Sequence, residues 1–225
     1  MDQYLLYNIN VKLAHPLLDY FFVTISDLDV FYFLIVLAVL SVFIWGKVRG
    51  RIFLFMMLMC LVIGDSGIGW AIKRHTNRPR PHEAVEWVQS RHLESRPFQI
   101  GPLKIPTTLH YKTEPAHVTN NPRGRSMPSG HVLNNVALAI LVTIYYRRLS
   151  LVAWVWAFLI AWSRIYTGSH YASDCAVSFG LAILYTPAIV FGLDWLWRNI
   201  RLPLLDKWRQ KIPSLVNPDS KKQAK

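Results

Sequence analysis

The stretch VFYFLIVLAVLSVFIWG, residues 30–46, contains no charged side chain, and it decides the fold. At about 1.5 Å per residue, a helix of this length nearly crosses a hydrocarbon core of about 30 Å. We therefore predict a transmembrane helix here. Four further apolar stretches, some interrupted by polar residues, occur at residues 52–72, 131–146, 149–168 and 172–194. The sequence thus predicts five transmembrane helices.

Length and composition favour a membrane protein over a soluble helical bundle. The chain has 225 residues, enough for one domain, of which 52% are hydrophobic and 17% are charged. A domain of this size cannot bury five nearly all-apolar helices against one another, whereas a bilayer can cover them. The predicted fold class is an all-α, polytopic membrane helical bundle whose transmembrane domain covers residues 30–197.

Residues 1–29 form an N-terminal segment that is too polar to cross a membrane. Charged positions such as Asp19 and Asp27 interrupt apolar ones such as Leu17 and Phe21. We predict an amphipathic, interfacial helix that lies on the membrane surface. The segment has neither a basic start nor a small-residue cleavage site, so a signal peptide is not indicated.

Three basic clusters predict the orientation of the spans. They are Lys47, Arg49 and Arg51 after the first span, Arg147 and Arg148 between the third and fourth, and Arg198, Arg201, Lys207, Arg209 and Lys211 after the fifth. With five alternating spans these clusters fall on one side, and short basic loops stay in the cytoplasm. The N-terminus is then outside, residues 73–130 form an external loop or cap between helices two and three, and residues 198–225 form a basic cytoplasmic tail.

The net charge of +12 would also suit a nucleic-acid-binding protein. The sequence contains no nucleic-acid-binding motif, so the predicted partner is the membrane and no nucleic acid is expected. Cys60 and Cys175 lie within or at the edge of apolar spans and have no metal-ligand spacing. We interpret both as packing residues.

Polar residues of an unusual kind gather at the predicted outer ends of spans two to five. They are Lys73, Arg80 and Pro81 after span two, Pro128, Ser129, Gly130 and His131 before span three, Ser163 and Arg164 at the end of span four, and His170 and Asp174 at the start of span five. Because alternating helices bring these ends to one membrane face, we expect the residues to meet at the external surface.

Five of these residues suit a phosphate group. Lys73, Arg80 and Arg164 supply fixed positive charge, and an arginine offers a planar fork of donors that matches phosphate oxygens. Ser129 and Gly130 stand just before a predicted helix, where unpaired backbone N–H groups and the helix dipole favour an anion. The sequence therefore predicts a site for a dianionic ligand.

The histidines add the groups that phosphoryl transfer needs. His170 and Asp174 are spaced to share one helical face, so the carboxylate can hold one ring nitrogen protonated and leave the other free to attack phosphorus. His131, on another helix, can protonate the leaving alkoxide and later deprotonate water. No cluster of Asp and Glu at these ends could hold paired divalent cations, so neither a metal nor another cofactor is predicted.

Each motif also has a simpler interpretation. The basic run Lys73–Arg80 is more often a solvated patch beside a membrane, the PSGH string is a plausible turn, and a His–Asp pair at helical spacing is often structural. Their joint placement at one membrane face is what these interpretations leave unexplained. A membrane protein that binds or transports anions without turnover is the alternative of a different class, but it would need no oriented nucleophile.

The three motifs resemble those of the type 2 phosphatidic acid phosphatase superfamily, which also includes acid phosphatases and vanadium haloperoxidases. The matching patterns are K-x6-R-P from Lys73, P-S-G-H from Pro128, and S-R-x5-H-x3-D from Ser163. The resemblance implies a membrane catalytic domain over residues 30–197. It implies phosphate binding by Lys73, Arg80, Ser129, Gly130 and Arg164, with His170 as nucleophile, His131 as acid and Asp174 as its orienting carboxylate.

Residues 82–127 separate the first two motifs by an unusually long segment. Several prolines within it favour a folded loop or cap over another span. Its histidines fit no zinc-ligand pattern. Because long loops over an active site often carry specificity, we expect headgroup selection here. Arg123 and Arg125 are candidate headgroup contacts, and an exposed basic loop is the alternative.

The predicted reaction is hydrolysis of a phosphate or diphosphate monoester of a lipid at the non-cytoplasmic face, through a phosphohistidine. Bacterial proteins that the chain resembles act on three lipids, which we rank as undecaprenyl diphosphate, lipid A 1-phosphate and phosphatidylglycerophosphate. A lipid phosphotransferase is a close variant, because a phosphohistidine can pass its group to a second lipid. The predicted location is the bacterial inner membrane with the site facing the periplasm or exterior; the sequence leaves the oligomeric state open.

Overall fold

The fold was examined in a computed structural model. It describes residues 1–94, 97–100, 103–106, 110–119, 124–199, 208 and 210–218. Four helices in these ranges are long and apolar enough to cross a membrane, namely Leu28–Trp45, Lys47–Thr76, Arg147–Tyr166 and Ala172–Asn199. The predicted helical membrane bundle is confirmed. The remaining apolar stretch, the third along the chain, forms a shorter helix, Gly130–Tyr145, of 16 residues, so the count of five spans stays a prediction.

The first two long helices form a tight hairpin. Helix α3, Leu28–Trp45, begins where the Asp27 side chain accepts a hydrogen bond from the Asp29 amide at 2.9 Å. It ends at Gly46, and helix α4, Lys47–Met59, starts at once through the left-handed backbone of Lys47, whose φ is 51°. A Cβ atom on Gly46 would lie 2.2 Å from the Val42 carbonyl oxygen. Only glycine fits this turn.

The second long helix changes its winding in the middle. Helix α4 continues through a π-helical segment, Cys60–Gly69, into helix α5, Trp70–Thr76. We call the whole helix, Lys47–Thr76, the α4–α5 helix. A π-helical turn closes hydrogen bonds over five residues rather than four, so it rotates the following side chains relative to a straight α-helix. The side chains of α5 are therefore not where the α-helical period would put them.

Gly64 in the π-helical segment lets this helix approach helix α9, Ala172–Asn199. A Cβ atom there would lie 2.4 Å from the ring of the buried Tyr185. We expect Gly64→Ala to lower the free energy of unfolding by about 1–3 kcal/mol, because the ring cannot move away without disturbing the core. Gly67→Ala is the matched control, since the nearest atom to a Cβ there is the Val62 oxygen at 3.5 Å. Thermal unfolding in detergent compares the two, and equal midpoints would contradict the expectation.

Helix α7, Gly130–Tyr145, is the centre of the bundle. It packs against helix α8, Ser150–Tyr166, helix α9, Ala172–Asn199, and the α4–α5 helix. Its buried side chains form much of the core and include Val132, Leu133, Val136, Ala137, Ala139 and Leu141. Helix α3 contrasts with it, since none of the α3 residues is buried. An apolar helix with no buried face is typical of contact with lipid.

The N-terminal segment is more deeply embedded than its sequence suggests. It forms helix α1, Asp2–Tyr7, a π-helical continuation, Asn8–Lys12, and helix α2, Pro16–Ser26. Asp19 of α2 is buried, and it accepts a hydrogen bond from the Tyr166 hydroxyl at 2.5 Å. The sequence indicated one amphipathic helix, whereas the structure has three helical pieces, and the buried contact of Asp19 was not predicted. The interfacial location stays a prediction.

The segment between the first two motifs is a folded cap that contains β-structure. After the short helix α6, Pro81–Ala84, strand β1, Gln89–Leu93, pairs antiparallel with strand β4, Tyr111–Pro115. Strand β2, Pro97–Ile100, pairs with strand β3, Leu103–Pro106. The folded cap was predicted, whereas these strands are a correction to a purely all-α description. Such short strands have no strong period-two signal in the sequence.

The end of α9 is tied to the following segment. Asp194 is buried, and it accepts hydrogen bonds from the Ser214 hydroxyl at 2.9 Å and the Leu215 amide at 2.6 Å. Part of the predicted tail, residues 211–218, therefore lies against the bundle. Its cytoplasmic location stays a prediction, and residues 200–207 of this tail lie outside the described residues.

Candidate active site

A single cavity of about 810 Å³ contains most of the residues singled out from the sequence. Six of them line it: Lys73, Arg80, Gly130, His131, Arg164 and His170. They come from α5, the segment before α6, the start of α7, the end of α8 and the turn before α9. The structure therefore brings together residues that are up to 97 positions apart in the chain.

The segment that carries Arg80 is held by the residues just before α7. Helix α5 ends at Asn77, whose φ of 42° turns the chain out of the helix. The Ser126 amide then donates to the Arg78 carbonyl oxygen at 2.9 Å. Arg80 follows in an extended conformation directly before α6. The first motif is thus positioned by a helix end and by one contact with the chain that leads into the second motif.

The start of α7 differs from the predicted phosphate cradle. The Ser129 amide donates to the Ser178 hydroxyl at 2.8 Å, so this N–H group is already used. Ser129 itself is fully buried, and its hydroxyl has no hydrogen-bond partner in the described part of the chain. The next amides, those of Gly130 and His131, remain candidates for an anion at the helix start.

His170 has a fixed tautomer, although not through the predicted contact. Its Nδ1 lies 2.6 Å from the Ser126 carbonyl oxygen and 3.8 Å from Asp174 Oδ2. Because a carbonyl oxygen only accepts, Nδ1 must carry the proton, and Nε2 keeps its lone pair. The predicted direct hydrogen bond from His170 to Asp174 is wrong, since 3.8 Å is too long for one. One ring nitrogen is nevertheless held protonated and the other left free, here by the Ser126 carbonyl oxygen.

Asp174 lies next to His170 but does not line the cavity. It is fully buried and accepts hydrogen bonds from the Ser126 hydroxyl at 2.5 Å, the Tyr171 amide at 2.9 Å and Arg78 Nη1 at 2.6 Å. Ser126 therefore joins the two residues, because its hydroxyl binds Asp174 while its carbonyl binds His170. Sequence reasoning missed Ser126, which carries no motif signal and lies 48 residues from Asp174.

Arg78 is the second residue that the sequence did not reveal. Besides Asp174, it binds Asp2 Oδ2 at 2.8 Å and the Ser173 hydroxyl at 2.7 Å. Its guanidinium also lies 4.1 Å from the centre of the Tyr171 ring. Burial raises the pKa of Asp2, but the hydrogen bonds from Ser173 and Arg78 outweigh burial and lower that pKa below its ordinary value. The start of the chain is thereby joined to the buried carboxylate.

Arg164 is held at one end and retains donors for a ligand. Its Nη1 donates to the Ser26 hydroxyl and lies 3.4 Å from the Ser26 carbonyl oxygen. Its Nε is buried and has no hydrogen-bond partner among the described residues. Buried donors are seldom left unpaired, so this atom favours an acceptor in the cavity. Ser26 of α2 was also missed from the sequence.

The electrostatic surroundings of His170 keep its ring neutral. Burial lowers the pKa of His170 to about 4, and the positive charges of Arg164 and Arg80 add to this effect against the opposing influence of Asp174. A neutral imidazole with a protonated Nδ1 is the form of histidine that can attack phosphorus.

This shift makes the stability of the protein depend on pH in a defined direction. Between pH 6.5 and 4 the unfolded chain binds a proton at His170 that the folded chain excludes, so stability falls as the pH is lowered. From pH 7 to 5 we expect the wild type to lose about 2 kcal/mol more than His170→Gln, which cannot titrate. Thermal unfolding of both proteins at the two pH values measures this difference. A parallel response of the two proteins would contradict a lowered pKa.

Of the two arginines proposed as headgroup contacts, Arg125 does not line this cavity. Arg125 is exposed, and its backbone forms an isolated parallel bridge with Arg78. Arg123 lies outside the described residues. Among the cap histidines, His82 Nδ1 lies 3.0 Å from the Gly168 carbonyl oxygen, a contact that joins the cap to the turn after α8.

Comparison with known proteins identifies the family. The model of the PAP2 superfamily matches residues 49–198, a range that contains all three motifs. The chain belongs to the PAP2 superfamily. The family resemblance noted in the sequence is therefore confirmed, as is the prediction of an enzyme of the PAP2 phosphatase type in a multi-pass membrane protein. Among curated proteins, no sequence matches the chain.

Two solved structures share this PAP2 fold. The crystal structure of Aquifex aeolicus LpxE has 24% sequence identity and a TM-score of 0.58, over 84% of this chain and 94% of that chain. The crystal structure of a transmembrane PAP2 type phosphatidylglycerolphosphate phosphatase from Bacillus subtilis has 19% identity and a TM-score of 0.51, over 88% of this chain and 86% of that chain. At these identities the likeness concerns the fold.

Proposed function

We propose that this PAP2 protein hydrolyses a phosphate or diphosphate monoester of a membrane lipid through a phosphohistidine at His170. The observation that carries the proposal is the contact of His170 Nδ1 with the Ser126 carbonyl oxygen at 2.6 Å. It leaves the lone pair on Nε2, in a cavity that Arg80 and Arg164 also line. A protein that only binds anions has no use for an oriented, neutral imidazole among fixed cations.

The proposed reaction has two chemical steps. In the first, His170 Nε2 attacks phosphorus, the bond from phosphorus to the lipid oxygen breaks, and His131 donates a proton to that oxygen. In the second, His131 takes a proton from water, the water oxygen attacks phosphorus, and the P–N bond breaks to release phosphate and regenerate His170. Lys73, Arg80 and Arg164 stabilise the charge on the phosphoryl oxygens in both transition states.

Asp174 takes part through the residues it binds. As His170 becomes cationic in the phosphohistidine, the buried carboxylate 3.8 Å from Nδ1 stabilises the developing charge. Before the reaction, the positive charge of Arg78 balances the negative charge of the Asp174 carboxylate. Asp174 is therefore proposed to orient and stabilise His170 together with the Ser126 carbonyl rather than by a direct hydrogen bond.

A lipid substrate is supported by the apolar half of the same cavity. Below the charged residues it is lined by side chains of α3, the α4–α5 helix and α7, including Leu28, Ile35, Val39, Val42, Leu54, Met57, Leu61 and Leu138. A groove of this composition suits a hydrocarbon tail, because burial of each CH₂ group contributes about 0.8 kcal/mol. The tail can then remain at membrane depth while the phosphate reaches His170.

The proposed substrates are the three bacterial lipids that the family resemblance implies. Undecaprenyl diphosphate, lipid A 1-phosphate and phosphatidylglycerophosphate all place a phosphate at the end of an apolar anchor. The basic clusters on the opposite side of the spans support a bacterial inner membrane location with the site facing the periplasm. Transfer of the phosphoryl group to a second lipid is the variant of this reaction.

Purified protein in detergent tests the proposal. Each of the three lipids is offered in chelator-treated buffer, and phosphate release is measured together with acid-labile, base-stable labelling of the protein. We expect release without added metal and a label on a histidine. Complete dependence on a divalent cation, or anion binding without turnover, would overturn the proposal. Label that passes to a lipid acceptor instead of water would identify a phosphotransferase.

A further inference from the structure

Three polar residues, Asp65, Asn134 and Asn135, lie between the charged site and the apolar groove. The amide of Asn135 is already used, because it donates to the His131 carbonyl oxygen and accepts from Trp156 Nε1. Asp65 and Asn134 remain. Along α7 the cavity is lined by His131, Asn134 and Leu138, which share one helical face. Along the α4–α5 helix it is lined by Lys73 and, deeper in the membrane, by Asp65. On both helices the order from the charged end is therefore a site residue, a polar residue and then apolar residues. A lipid that enters the cavity must pass Asp65 and Asn134.

The two residues are joined to each other. Asn134 Nδ2 donates to Asp65 Oδ2 at 3.0 Å, the contact to a neighbouring helix that a carboxylate inside an apolar span suggests. Lys73 Nζ lies 3.8 Å from Asp65 Oδ1, which gives an ion pair without a direct hydrogen bond. The lysine side chain leans back toward the start of its helix, so it reaches a residue eight positions earlier. Asp65 is thereby held beside the phosphate site.

These contacts leave hydrogen-bond acceptors without donors. An ionised carboxylate only accepts, so the amide nitrogen of Asn134 must face Asp65 and its oxygen must face away. That oxygen, Asn134 Oδ1, is buried and has no partner in the part of the chain that the structure describes. A carboxylate has about four acceptor sites. Asp65 therefore offers further capacity beside the buried amide oxygen.

Their location defines which part of a substrate they would meet. In the proposed reaction His131 protonates the oxygen that leaves phosphorus, and Asn134 follows one helical turn further along the same face. A Cβ atom on Gly130, the neighbour of His131, would lie 3.0 Å from Asp65 Oδ1. The first carbon atoms of the leaving alcohol therefore pass the acceptors before the tail reaches Leu138.

We propose that Asp65 and Asn134 form an acceptor pair that binds a hydroxyl or amide N–H group on the leaving alcohol, close to its ester oxygen. This inference rests on the proposed function. It assigns the substrate to lipid phosphates whose leaving alcohol carries a free hydroxyl or an amide N–H group beside the ester carbon, as the glycerol of phosphatidylglycerophosphate and the sugar of lipid A 1-phosphate do. A polyprenyl diphosphate carries none there, and its leaving phosphate would bring negative charge against Asp65. Undecaprenyl diphosphate, which the sequence analysis ranked first of the three lipids, is thereby ranked last.

The pair would select its substrate because leaving its buried oxygen atoms without a hydrogen-bond donor costs free energy. A ligand with the donor satisfies buried acceptors, whereas one without it removes water from them and gives nothing in return. Sites built to bind a hydroxyl discriminate strongly against the analogue that lacks it. For one hydrogen bond to a charged acceptor we expect at least about a tenfold preference in kcat/KM.

A set of synthetic phosphates with one tail tests the proposal in the full-length wild-type protein. The set is dodecyl phosphate, 2-hydroxydodecyl phosphate, 2-acetamidododecyl phosphate and 2-methoxydodecyl phosphate, of which the last keeps the added oxygen but cannot donate. We expect the hydroxyl or the amide compound to exceed the other two by at least about tenfold in kcat/KM. The faster of these two identifies the donor. Equal kcat/KM for all four would overturn the inference while leaving the phosphatase reaction intact.

Two variants assign the preference to the residues. Asn134→Leu keeps the size of the side chain and removes the buried acceptor, and Asp65→Asn keeps a partner for Asn134 without the charge. Each should reduce the preference, taken within one variant as the ratio of kcat/KM for the donor compound to kcat/KM for 2-methoxydodecyl phosphate, to about twofold or less. Thr143→Val on α7 is the matched control, because Thr143 is exposed and binds its own helix through Ala139. If both variants keep the wild-type preference, Asp65 and Asn134 do not cause it and the assignment is overturned. If the wild-type protein hydrolyses none of the four phosphates, the proposed function itself is overturned.

Discussion

Replacement of His170 by Gln is expected to reduce phosphate release by roughly 10⁴-fold or more, because it removes the atom that attacks phosphorus. Glutamine fills a similar volume and its amide can still donate to the Ser126 carbonyl oxygen, so the cavity should keep its shape. The labelled phosphoenzyme should also disappear. Rapid-quench measurement of label and of released phosphate checks both expectations in one experiment.

A matched control separates this effect from a general sensitivity to histidine substitution. His117 in the cap is exposed, so His117→Gln should leave phosphate release within a few-fold of wild type. A folded His170→Gln protein that still formed an acid-labile phosphoenzyme would show that another residue is the nucleophile. The fold can be checked by a circular dichroism spectrum and a thermal unfolding midpoint close to those of the wild type.

Replacement of Arg78 by Leu is the second large effect, and it acts on a residue outside the family motifs. The change leaves the fully buried Asp174 carboxylate without its cation, which typically costs about 3–5 kcal/mol of stability. It also disturbs Ser126 and through it His170, and a misplacement of about 1 Å can reduce the rate roughly 100-fold. We expect the loss mainly in kcat, since Arg78 does not line the cavity. Thermal unfolding and steady-state kinetics measure the two effects.

A second substitution can show that charge causes the loss of stability. In the double variant Arg78→Leu with Asp174→Asn the buried carboxylate is gone and only the partly exposed Asp2 loses its cation, so stability should return toward that of wild type while activity stays low. Arg74→Leu, in helix α5 just before Arg78, is the control, because Arg74 is exposed and lies over the Trp70 ring. If the double variant loses as much free energy of unfolding as the two single variants together, the ion pair between Arg78 and Asp174 is contradicted.

The convergence of the site could be predicted because two independent patterns agree. Hydropathy gives the alternation of spans, and the residues at one end of each span, such as Lys73, His131 and Arg164, carry groups that bind phosphate. A hydrocarbon core imposes this regularity, since any helix that crosses it has nearly the same length. Few other environments allow tertiary contacts to be inferred from so simple a rule.

What the sequence could not provide are contacts made by loops and by distorted helix. The Ser126 carbonyl that orients His170 is a backbone group, and a backbone group has no sequence signature. Arg78 lies 96 residues from Asp174, in a basic run that also suits a solvated patch. The contact between Asp65 and Lys73 depends on a π-helical segment and on a long side chain that reaches back. In each case the position of an atom depends on local geometry that residue identity does not determine.

The contact of Asp2 with Ser173 has a consequence for how the protein is made. The two residues are 171 positions apart, so the first turn of the chain cannot reach its final place until nearly all the spans have been synthesised. At roughly 5–20 residues per second this is a wait of about ten to thirty seconds on the ribosome. During that time Asp174 has not been made and Arg78 has no carboxylate partner from α9. The proposed catalytic site is therefore complete only after the start of helix α9 has been made.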